Sequence, residues 1–210
     1  MAQELVAEKL NEQDLRHIQR LTKLGLVVMP TIKKGPRFKG WQSLKQTLDL
    51  DDYAWQQATG FGIQCGKVSG ITVVDVDKPA MEFFKKFWAH HKFPPTTTVK
   101  TPSGGLHLYY KYNPDLKQTQ GFAGLDIDIR NDGGQVVAPG ARYDTDKKDK
   151  MRYIGVPYEF AYDDDGKKLD FSRMLPLDRF WVEMQNRGVN SETYELNDEK
   201  PAAEVVCCFG

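Results

Sequence analysis

The sequence lacks the features that would place the protein in a membrane or on a disulfide scaffold. Among its 210 residues, no apolar run approaches the ~18 residues that a membrane-spanning helix needs. The first residues lack the basic and then apolar pattern of a secretory signal. Of only three cysteines, Cys207 and Cys208 are adjacent, which gives neither a disulfide framework nor zinc-ligand spacing. These absences favour a reducing, cytoplasmic compartment and no contact with a membrane.

The sequence also lacks an excess of charge of either sign. Lysine and arginine number 29 together, and so do aspartate and glutamate. Any site for a polyanion must therefore be a local cluster of cations rather than a property of the whole surface. Hydrophobic residues make up 40% of the chain and aromatic residues 11%, which is enough to bury a core in one large domain or a domain and a half.

The most informative stretch is the β-prone segment 71–77, which ends in Asp75 and Asp77. Successive side chains of a strand alternate between faces, so the two aspartates share one face, while Val74 and Val76 point into a core. Two carboxylates about 4 Å apart repel by roughly 4 kcal/mol at an effective dielectric constant of about 20. A divalent cation with oxygen ligands would offset that repulsion. A strand end with two solvated acids explains this stretch equally well.

A glycine-rich turn leads into another β-prone segment, 106–110. The turn is Ser103-Gly-Gly, and its glycines let the backbone approach a ligand closely. His107 lies between two leucines, so it faces away from the core that they enter. A lone histidine in a strand is usually a surface or satisfied residue, but its place directly after a flexible turn favours contact with a phosphate.

A second acidic segment, 125–130, repeats the alternation of the first. Asp126, Asp128 and Arg130 share one face, and leucine and isoleucine occupy the other. An ordinary fold would seldom assemble two acidic strands, a Ser-Gly-Gly-x-His turn and an arginine by chance.

Turn signals predict how these strands connect. We expect two hairpins: one joins strand 61–64 to strand 71–77, and the other joins strand 125–130 to a return strand over 135–138.

Helix signals begin with Asn11, which has Asp14 three residues later and predicts the N-cap of a helix that ends before Gly25. The basic loop 33–41 has Phe and Trp interleaved with its cations, which suits phosphate and base contacts, although such a run is more often an ordinary solvated loop. The other expected elements are a helix over 44–57, a helix from Pro79 to His91, a strand over 151–154, a hairpin turn at 163–166 and a helix over 177–184.

Taken in order, these motifs resemble the bifunctional DNA primase/polymerase (prim-pol) domain of the archaeo-eukaryotic primase superfamily, which occurs in plasmid, phage and viral replication proteins. The resemblance covers about residues 25–145, with weaker matches at 35–41 and 62–63. Three motifs carry it: Asp75-Val-Asp77, Thr101-Pro-Ser-Gly-Gly-Leu-His107 and Asp128-Ile-Arg130-Asn-Asp-Gly-Gly-Gln-Val-Val-Ala-Pro139.

The resemblance implies a template-directed nucleotidyl transferase, which synthesises and extends primers. It implies an α+β fold whose catalytic core is an RRM-like antiparallel or mixed sheet. The expected division is an N-terminal α/β subdomain over 1–60, the core over 61–185, and a linker or tail over 186–210.

The resemblance also implies a metal site. Asp75, Asp77 and Asp128 would be the catalytic carboxylates that bind two Mg²⁺ or Mn²⁺ ions, while Asp126 is left without a role. The chain has no cluster of cysteine and histidine, so we expect no structural zinc.

Nucleotide binding is the other role that the resemblance implies. His107 would hold the triphosphate of the incoming nucleotide. Ser103, Arg130 and Lys39 would assist at its phosphates.

The expected partners are a single-stranded DNA template, a primer, ribo- or deoxyribonucleoside triphosphates, and a helicase domain or partner. In this family a helicase often follows on the same chain, but no phosphate-binding loop of the Gly-x4-Gly-Lys-Ser/Thr type is present. We therefore expect a stand-alone enzyme or an N-terminal fragment, in the cytoplasm of a bacterial, archaeal or virus-infected cell.

Two alternative functions remain open. Paired acids with a histidine also serve a metal-dependent nuclease or a nicking replication initiator, although His90-His91 lacks the histidine spacing of such an initiator. A non-catalytic nucleic-acid-binding module is the other alternative, and the presence of all three acids and the histidine argues against it.

Overall fold

The computed structural model describes residues 7–187, and in that range it is an α+β fold with antiparallel sheets. None of its helices is long and apolar enough to cross a membrane. The helices are α1 (Glu12–Lys23), α2 (Tyr53–Gln57), α3 (Met81–His91) and α4 (Arg179–Arg187). The strands are β1 (Val28–Thr31), β2 (Gly60–Gln64), β3 (Ile71–Val76), β4 (Thr97–Lys100), β5 (Leu106–Lys111), β6 (Ile127–Arg130), β7 (Gln135–Val137), β8 (Glu159–Phe160) and β9 (Leu175–Pro176).

The larger sheet is built around β3, which pairs antiparallel with β6 on one side and with β5 on the other. The strand order is β6-β3-β5-β4-β8, and β9 adds a short parallel pairing to β5. The chain runs from β3 through α3 to β4 and then turns directly into β5. The acidic strand of the sequence therefore lies inside the sheet, with a partner on each side.

Alternate residues of β3 pack into two separate cores. Ile71 and Val73 belong to the core between the two sheets, and Val74 and Val76 belong to the core under α3 and α4. All four side chains are fully buried. The period-2 pattern of the sequence thus gives Asp75 the face that looks toward the smaller sheet.

The smaller sheet has the order β1-β2-β7 and covers that face. Both predicted hairpins are wrong. β2 and β3 belong to different sheets, and a single bridge between Gly66, just after β2, and Ile71 joins them. β7 pairs with β2 instead of with β6. Every residue of β2 is buried, and a strand that is apolar on both faces does not specify its partner through its pattern.

Asn11 begins α1 as predicted. Its side chain accepts hydrogen bonds from the backbone N–H groups of Gln13 and Asp14, at 2.9 and 3.1 Å, and the Asp14 carboxylate accepts one from the N–H of Asn11 at 2.8 Å. These reciprocal bonds form a capping box. Ile18 and Leu21 bury the inner face of the helix against the core between the sheets.

Two predicted elements are wrong. Of the helix predicted over 44–57, only Tyr53–Gln57 is helical, and the side chain of Asp52 caps it. The residues from 44 to 52 form turns and irregular segments instead. The strand predicted over 151–154 lies instead at the end of a 3-10 helix, Lys148–Tyr153. An apolar run of four residues is too short to distinguish a strand from a helical turn.

Three other elements are confirmed. The helix predicted from Pro79 to His91 is α3, preceded by a 3-10 turn, and the helix predicted over 177–184 is α4. The turn at 163–166 closes with a hydrogen bond from the N–H of Asp163 to the carbonyl of Lys167.

The predicted division of the chain at residue 60 stays a prediction, and the pairing of β1 with β2 crosses it. The tail predicted over 186–210 lies, after residue 187, outside the described residues.

The capping box predicts the cost of removing the N-cap of α1. Asn11→Ala should lower the free energy of unfolding by about 1 kcal/mol, because two backbone N–H groups lose their acceptor. Urea unfolding measures the change. Asn11→Ser, which keeps a capping oxygen, should stay within a few tenths of a kcal/mol of the wild type. Equal losses in both variants would contradict the capping role.

Cys65 follows β2 and should be chemically inert in the folded protein. Its side chain is 1% exposed, and burial raises the pKa of the thiol, so little thiolate reaches solvent. In a Cys207→Ser, Cys208→Ser variant, a thiol reagent at pH 8 should label Cys65 only after urea is added. Stoichiometric labelling of the folded variant at the rate of the unfolded one would contradict this packing.

Candidate active site

Three of the predicted site residues form one row across the larger sheet. Asp75 in β3 lies directly opposite Asp128 in β6 on one side and directly opposite His107 in β5 on the other. Residues opposite each other in an antiparallel pair point to the same face, with Cβ atoms about 5 Å apart. The sheet therefore brings together side chains that are separated by up to 53 positions in the sequence.

Arg130 lies on the same face as this row and turns back toward it. Its Nη2 lies 2.5 Å from Oδ2 of Asp128 and 3.4 Å from Oδ2 of Asp75. All three side chains are about one-fifth exposed or less, at 22%, 21% and 16% in turn. Arg130 thus supplies a positive charge that offsets the repulsion between the two neighbouring carboxylates. Its Nε is buried and has no hydrogen-bond partner among the described residues.

Asp77 follows the end of β3, where its backbone N–H donates to the carbonyl of Asp126 at 2.9 Å. It keeps an exposed surface at the mouth of the site while its carboxyl group lines the cavity inside. Desolvation, and then the negative charge of Asp75, raises the pKa of Asp77 above its usual value. Unlike Asp75, it has no salt bridge within residues 7–187. Asp77 is therefore the acid of the site that most needs an added cation.

His107 closes the other end of the row. Its Nε2 lies 3.5 Å from Oδ1 of Asp75, and its ring packs 5.6 Å from the ring of Tyr158. Burial lowers the pKa of His107, and the charge of Asp75 only partly opposes this effect. The imidazole is therefore neutral at pH 7, and its buried Nδ1 has no hydrogen-bond partner among the described residues.

The glycine-rich turn packs tightly against the end of β3. A Cβ on Gly105 would lie 2.3 Å from the carbonyl oxygen of Val76, so only glycine fits there. The hydroxyl of Thr101 accepts the N–H of Gly105 at 2.9 Å, which fixes the turn. This packing places Ser103, half-buried, at the rim of the site.

These side chains line a cavity of about 180 Å³ between the two sheets. Within the described part of the chain, Asp128 is not part of the lining, and it lies behind Arg130, with which it forms a salt bridge. Lys39, which was predicted to assist at the phosphates, is exposed and also lies outside the lining. Sequence reasoning missed Lys34, although it lies in the same basic loop. The predicted residues in the lining are Asp75, Asp77, Ser103, His107 and Arg130, and those that were not predicted include Lys34, Thr101, Gln135 and Tyr158.

A larger cavity of about 450 Å³ lies elsewhere, between α1 and the segment 155–168. Its buried carboxylate, Asp14, is already paired with Arg142 at 2.8 Å. Asp75, Asp77 and His107 line the smaller cavity, which is therefore the candidate active site.

The donor set of the smaller cavity fits a hard divalent cation. Asp75, Asp77 and Asp128 present carboxylate oxygens, which are the ligands that Mg²⁺ prefers. Burial, and then the charge of Asp75, disfavours the ionised form of Asp77, and a bound cation would offset both effects. Arg130, however, lies between Asp75 and Asp128. As the side chains stand, residues 7–187 contain no group of three His, Cys, Asp or Glu side chains close enough to form a metal site.

Comparison with known protein families assigns most of the chain to one family. The family model of bifunctional DNA primase/polymerase N-terminal domains matches residues 18–164, well over half of the chain and all of the acidic row. No curated protein matches the chain. The enzymes of this family act on nucleotides and a DNA template. The chain therefore belongs to the bifunctional DNA primase/polymerase N-terminal family, and it is a DNA primase/polymerase enzyme.

Proposed function

We propose that the protein is a template-directed nucleotidyl transferase that synthesises primers on single-stranded DNA and extends them, with Asp75, Asp77 and Asp128 as its catalytic centre. The observation that carries the proposal is the cross-strand row of Asp128, Asp75 and His107. Asp75 and His107 of this row line one cavity together with Asp77. Phosphoryl transfer needs positioning and charge stabilisation rather than a protein nucleophile, and this cavity supplies both.

The proposal includes an RRM-like core over residues 61–185, next to an N-terminal subdomain over 1–60. The order β6-β3-β5-β4, with α3 between β3 and β4 and a direct turn between β4 and β5, supports it. An RRM has a four-stranded sheet of the split βαβ type. In this chain the connection between β5 and β6 contains a 3-10 turn, Phe122–Gly124, in the place of a second long helix.

The three aspartates would hold two Mg²⁺ or Mn²⁺ ions. When bound, such ions stabilise the charge on the attacking 3′-oxygen and on the pyrophosphate that leaves. Asp75, at the centre of the row, and Asp77, directly after the end of β3, line the cavity together and would be the first two ligands. The guanidinium of Arg130 must move from between Asp75 and Asp128 for both acids to serve as ligands.

The neutral and cationic groups of the cavity would bind and orient the triphosphate. Arg130 has an unpartnered Nε, so a phosphate oxygen would give it an acceptor when it leaves Asp128. His107 packs against Asp75 and Tyr158, and its Nδ1 has no hydrogen-bond partner among the described residues. Nδ1 would donate to a phosphate oxygen when the negative charge of the bound triphosphate stabilises the imidazolium. Ser103 offers a hydroxyl at the rim.

The proposed setting is replication of a plasmid, phage or viral genome in the cytoplasm, where a primer and a helicase domain or partner would act with this protein. The direct assay mixes the protein with an unprimed single-stranded template, Mg²⁺ or Mn²⁺, and labelled ribo- or deoxyribonucleotides. Sized products longer than one nucleotide support the proposal. Strand cleavage without added nucleotides, and no products with them, would instead favour a nuclease.

Replacement of Asp77 should lower activity without lowering the stability of the fold. Asp77→Asn should reduce nucleotide incorporation by at least about 100-fold, because a proposed metal ligand and its charge are lost. The same change should leave the free energy of unfolding unchanged or slightly higher, because the raised pKa of Asp77 means that its charge is unfavourable in the folded protein. Steady-state incorporation and urea unfolding measure the two effects.

Asp126→Asn is the matched control for this variant. Asp126 is an exposed acid on the flank of β6, and its backbone, rather than its side chain, contacts Asp77. The control should keep near wild-type incorporation. Equal losses in both variants, or full activity in Asp77→Asn, would remove Asp77 from the catalytic centre.

Replacement of His107 should weaken nucleotide binding more than it slows the chemical step. His107→Asn should raise the KM for the nucleoside triphosphate by about 10- to 100-fold, the typical contribution of one hydrogen bond to a charged phosphate. The kcat at saturating nucleotide should fall much less. A variant that loses kcat with an unchanged KM would show that His107 does not hold the triphosphate.

A further inference from the structure

The turn from Ile32 to Gly35 has a strained backbone at two lysines. The N–H of Ile32 donates to the carbonyl of Gly35 at 2.9 Å, and the N–H of Gly35 donates to the carbonyl of Ile32 at 3.2 Å. These two hydrogen bonds enclose a two-residue turn. Lys33 and Lys34 occupy its centre with φ of +52° and +70°. Such turns usually take asparagine and glycine, since a Cβ disfavours positive φ. Backbone strain of this kind persists only where surrounding contacts enforce it.

Asp144 is the main contact that holds the turn. Its side chain is buried, with 6% of the residue exposed, and its Oδ2 accepts the backbone N–H of Lys33 at 2.9 Å. The hydroxyl of Thr59 donates to the same oxygen. On the other side of the turn, the side-chain amide of Gln135 donates to the carbonyl of Lys34 at 2.9 Å. The two side chains that contact the turn, from Asp144 and Gln135, are 111 and 101 positions away in the sequence, so the fold, not the local sequence, sets this conformation.

The strained turn delivers the side chain of Lys34 into the cavity of the acidic row. Lys34 lines that cavity, and its ammonium lies 4.9 Å from the ring centroid of Tyr143. Burial lowers the pKa of Lys34, and the charges of Asp77 and Asp75 oppose this effect. Lys34 makes no salt bridge within 4 Å in the described part of the chain, whereas Lys33, beside it, pairs with the exposed Asp146.

We propose that Lys34 binds the phosphates of the incoming nucleoside triphosphate, and that Asp144 is a positioning residue that keeps the strained turn in the conformation that delivers it. This inference rests on the proposed function of the cavity. Lys34 therefore takes the role that the sequence suggested for Lys39. The half-buried ammonium is a cation without a paired anion at the site where a triphosphate would add several negative charges.

Four variants test the two parts of this proposal. Lys34→Met removes the cation, and Asp144→Ala removes the acceptor that holds the turn. Lys45→Met and Asp146→Asn are the controls, since they alter an exposed lysine outside the cavity lining and the exposed partner of Lys33. For each, steady-state incorporation gives kcat and KM, calorimetry gives the Kd for nucleoside triphosphate with Mg²⁺, and fluorescence anisotropy gives the affinity for single-stranded DNA.

Lys34→Met should raise the KM and Kd for the nucleotide at least 10-fold, with a smaller change in kcat and unchanged affinity for DNA. Asp144→Ala should raise the nucleotide KM in the same direction, and the double variant should be no worse than Lys34→Met alone, because both changes remove one interaction. Both controls should behave as the wild type does.

A rescue separates positioning from general damage to the fold. Lys33→Asn places in the turn the residue that best tolerates positive φ after glycine, so it should lower the KM of Asp144→Ala back toward the wild type. A simple loss of stability would not be repaired in KM by this change. If Asp144→Ala does not fold, Thr59→Val removes the neighbouring hydroxyl and should raise the nucleotide KM by a smaller factor.

Three results would overturn the inference. An unchanged nucleotide KM and Kd in Lys34→Met would remove Lys34 from the phosphate site. A loss of DNA affinity alone in that variant would assign Lys34 to the strand instead. Asp144→Ala or Thr59→Val with a lower melting temperature but wild-type KM would remove the positioning role. A wild-type protein that neither incorporates nor binds nucleotide would instead reject the proposed function itself.

Discussion

The structure depends on the antiparallel pairing that places Asp75 between Asp128 and His107. Two adjacent carboxylates on one sheet face repel each other, and this arrangement is tolerable only because Arg130 lies between them. The opposite face of β3 makes the arrangement rigid, since Val74 and Val76 are locked into the core under α3 and α4. A slip of one residue in register would turn Asp75 into the core under α3 and α4, so the hydrophobic pattern also fixes the position of the charges.

The two sheets have different roles at the site. The larger sheet supplies the acids, the histidine and the arginine, while the smaller sheet and its loops supply the opposite wall with Lys34 and Gln135. Several polar atoms in this cavity are buried without partners among the described residues, namely Nδ1 of His107, Nε of Arg130 and Oε1 of Gln135. Unsatisfied polar groups and positive φ angles are costly, and their concentration around one cavity is typical of a site built for a charged ligand.

Local sequence patterns predicted the acidic strands, the capping box of α1 and five of the residues that line the candidate site, because these depend on period-2 alternation and on side chains close in sequence. The sheet partners were not predictable in the same way, because β2 is buried on both faces and its pattern fits several neighbours. Lys34 was missed for a related reason. Its position depends on Asp144 and Gln135, more than 100 residues later, and the sequence between Lys33 and Lys39 does not distinguish one lysine from another.

The central claim is that the acidic row and Asp77 hold divalent ions beside a bound nucleotide. Crystals grown with Mn²⁺ and a non-hydrolysable nucleoside triphosphate test it most directly, because manganese is located by its anomalous scattering. The account predicts manganese peaks about 2.0–2.3 Å from carboxylate oxygens of Asp75, Asp77 and Asp128, with the guanidinium of Arg130 moved onto a phosphate. Peaks elsewhere in the protein, with Arg130 still between Asp75 and Asp128 in the presence of nucleotide, would contradict it.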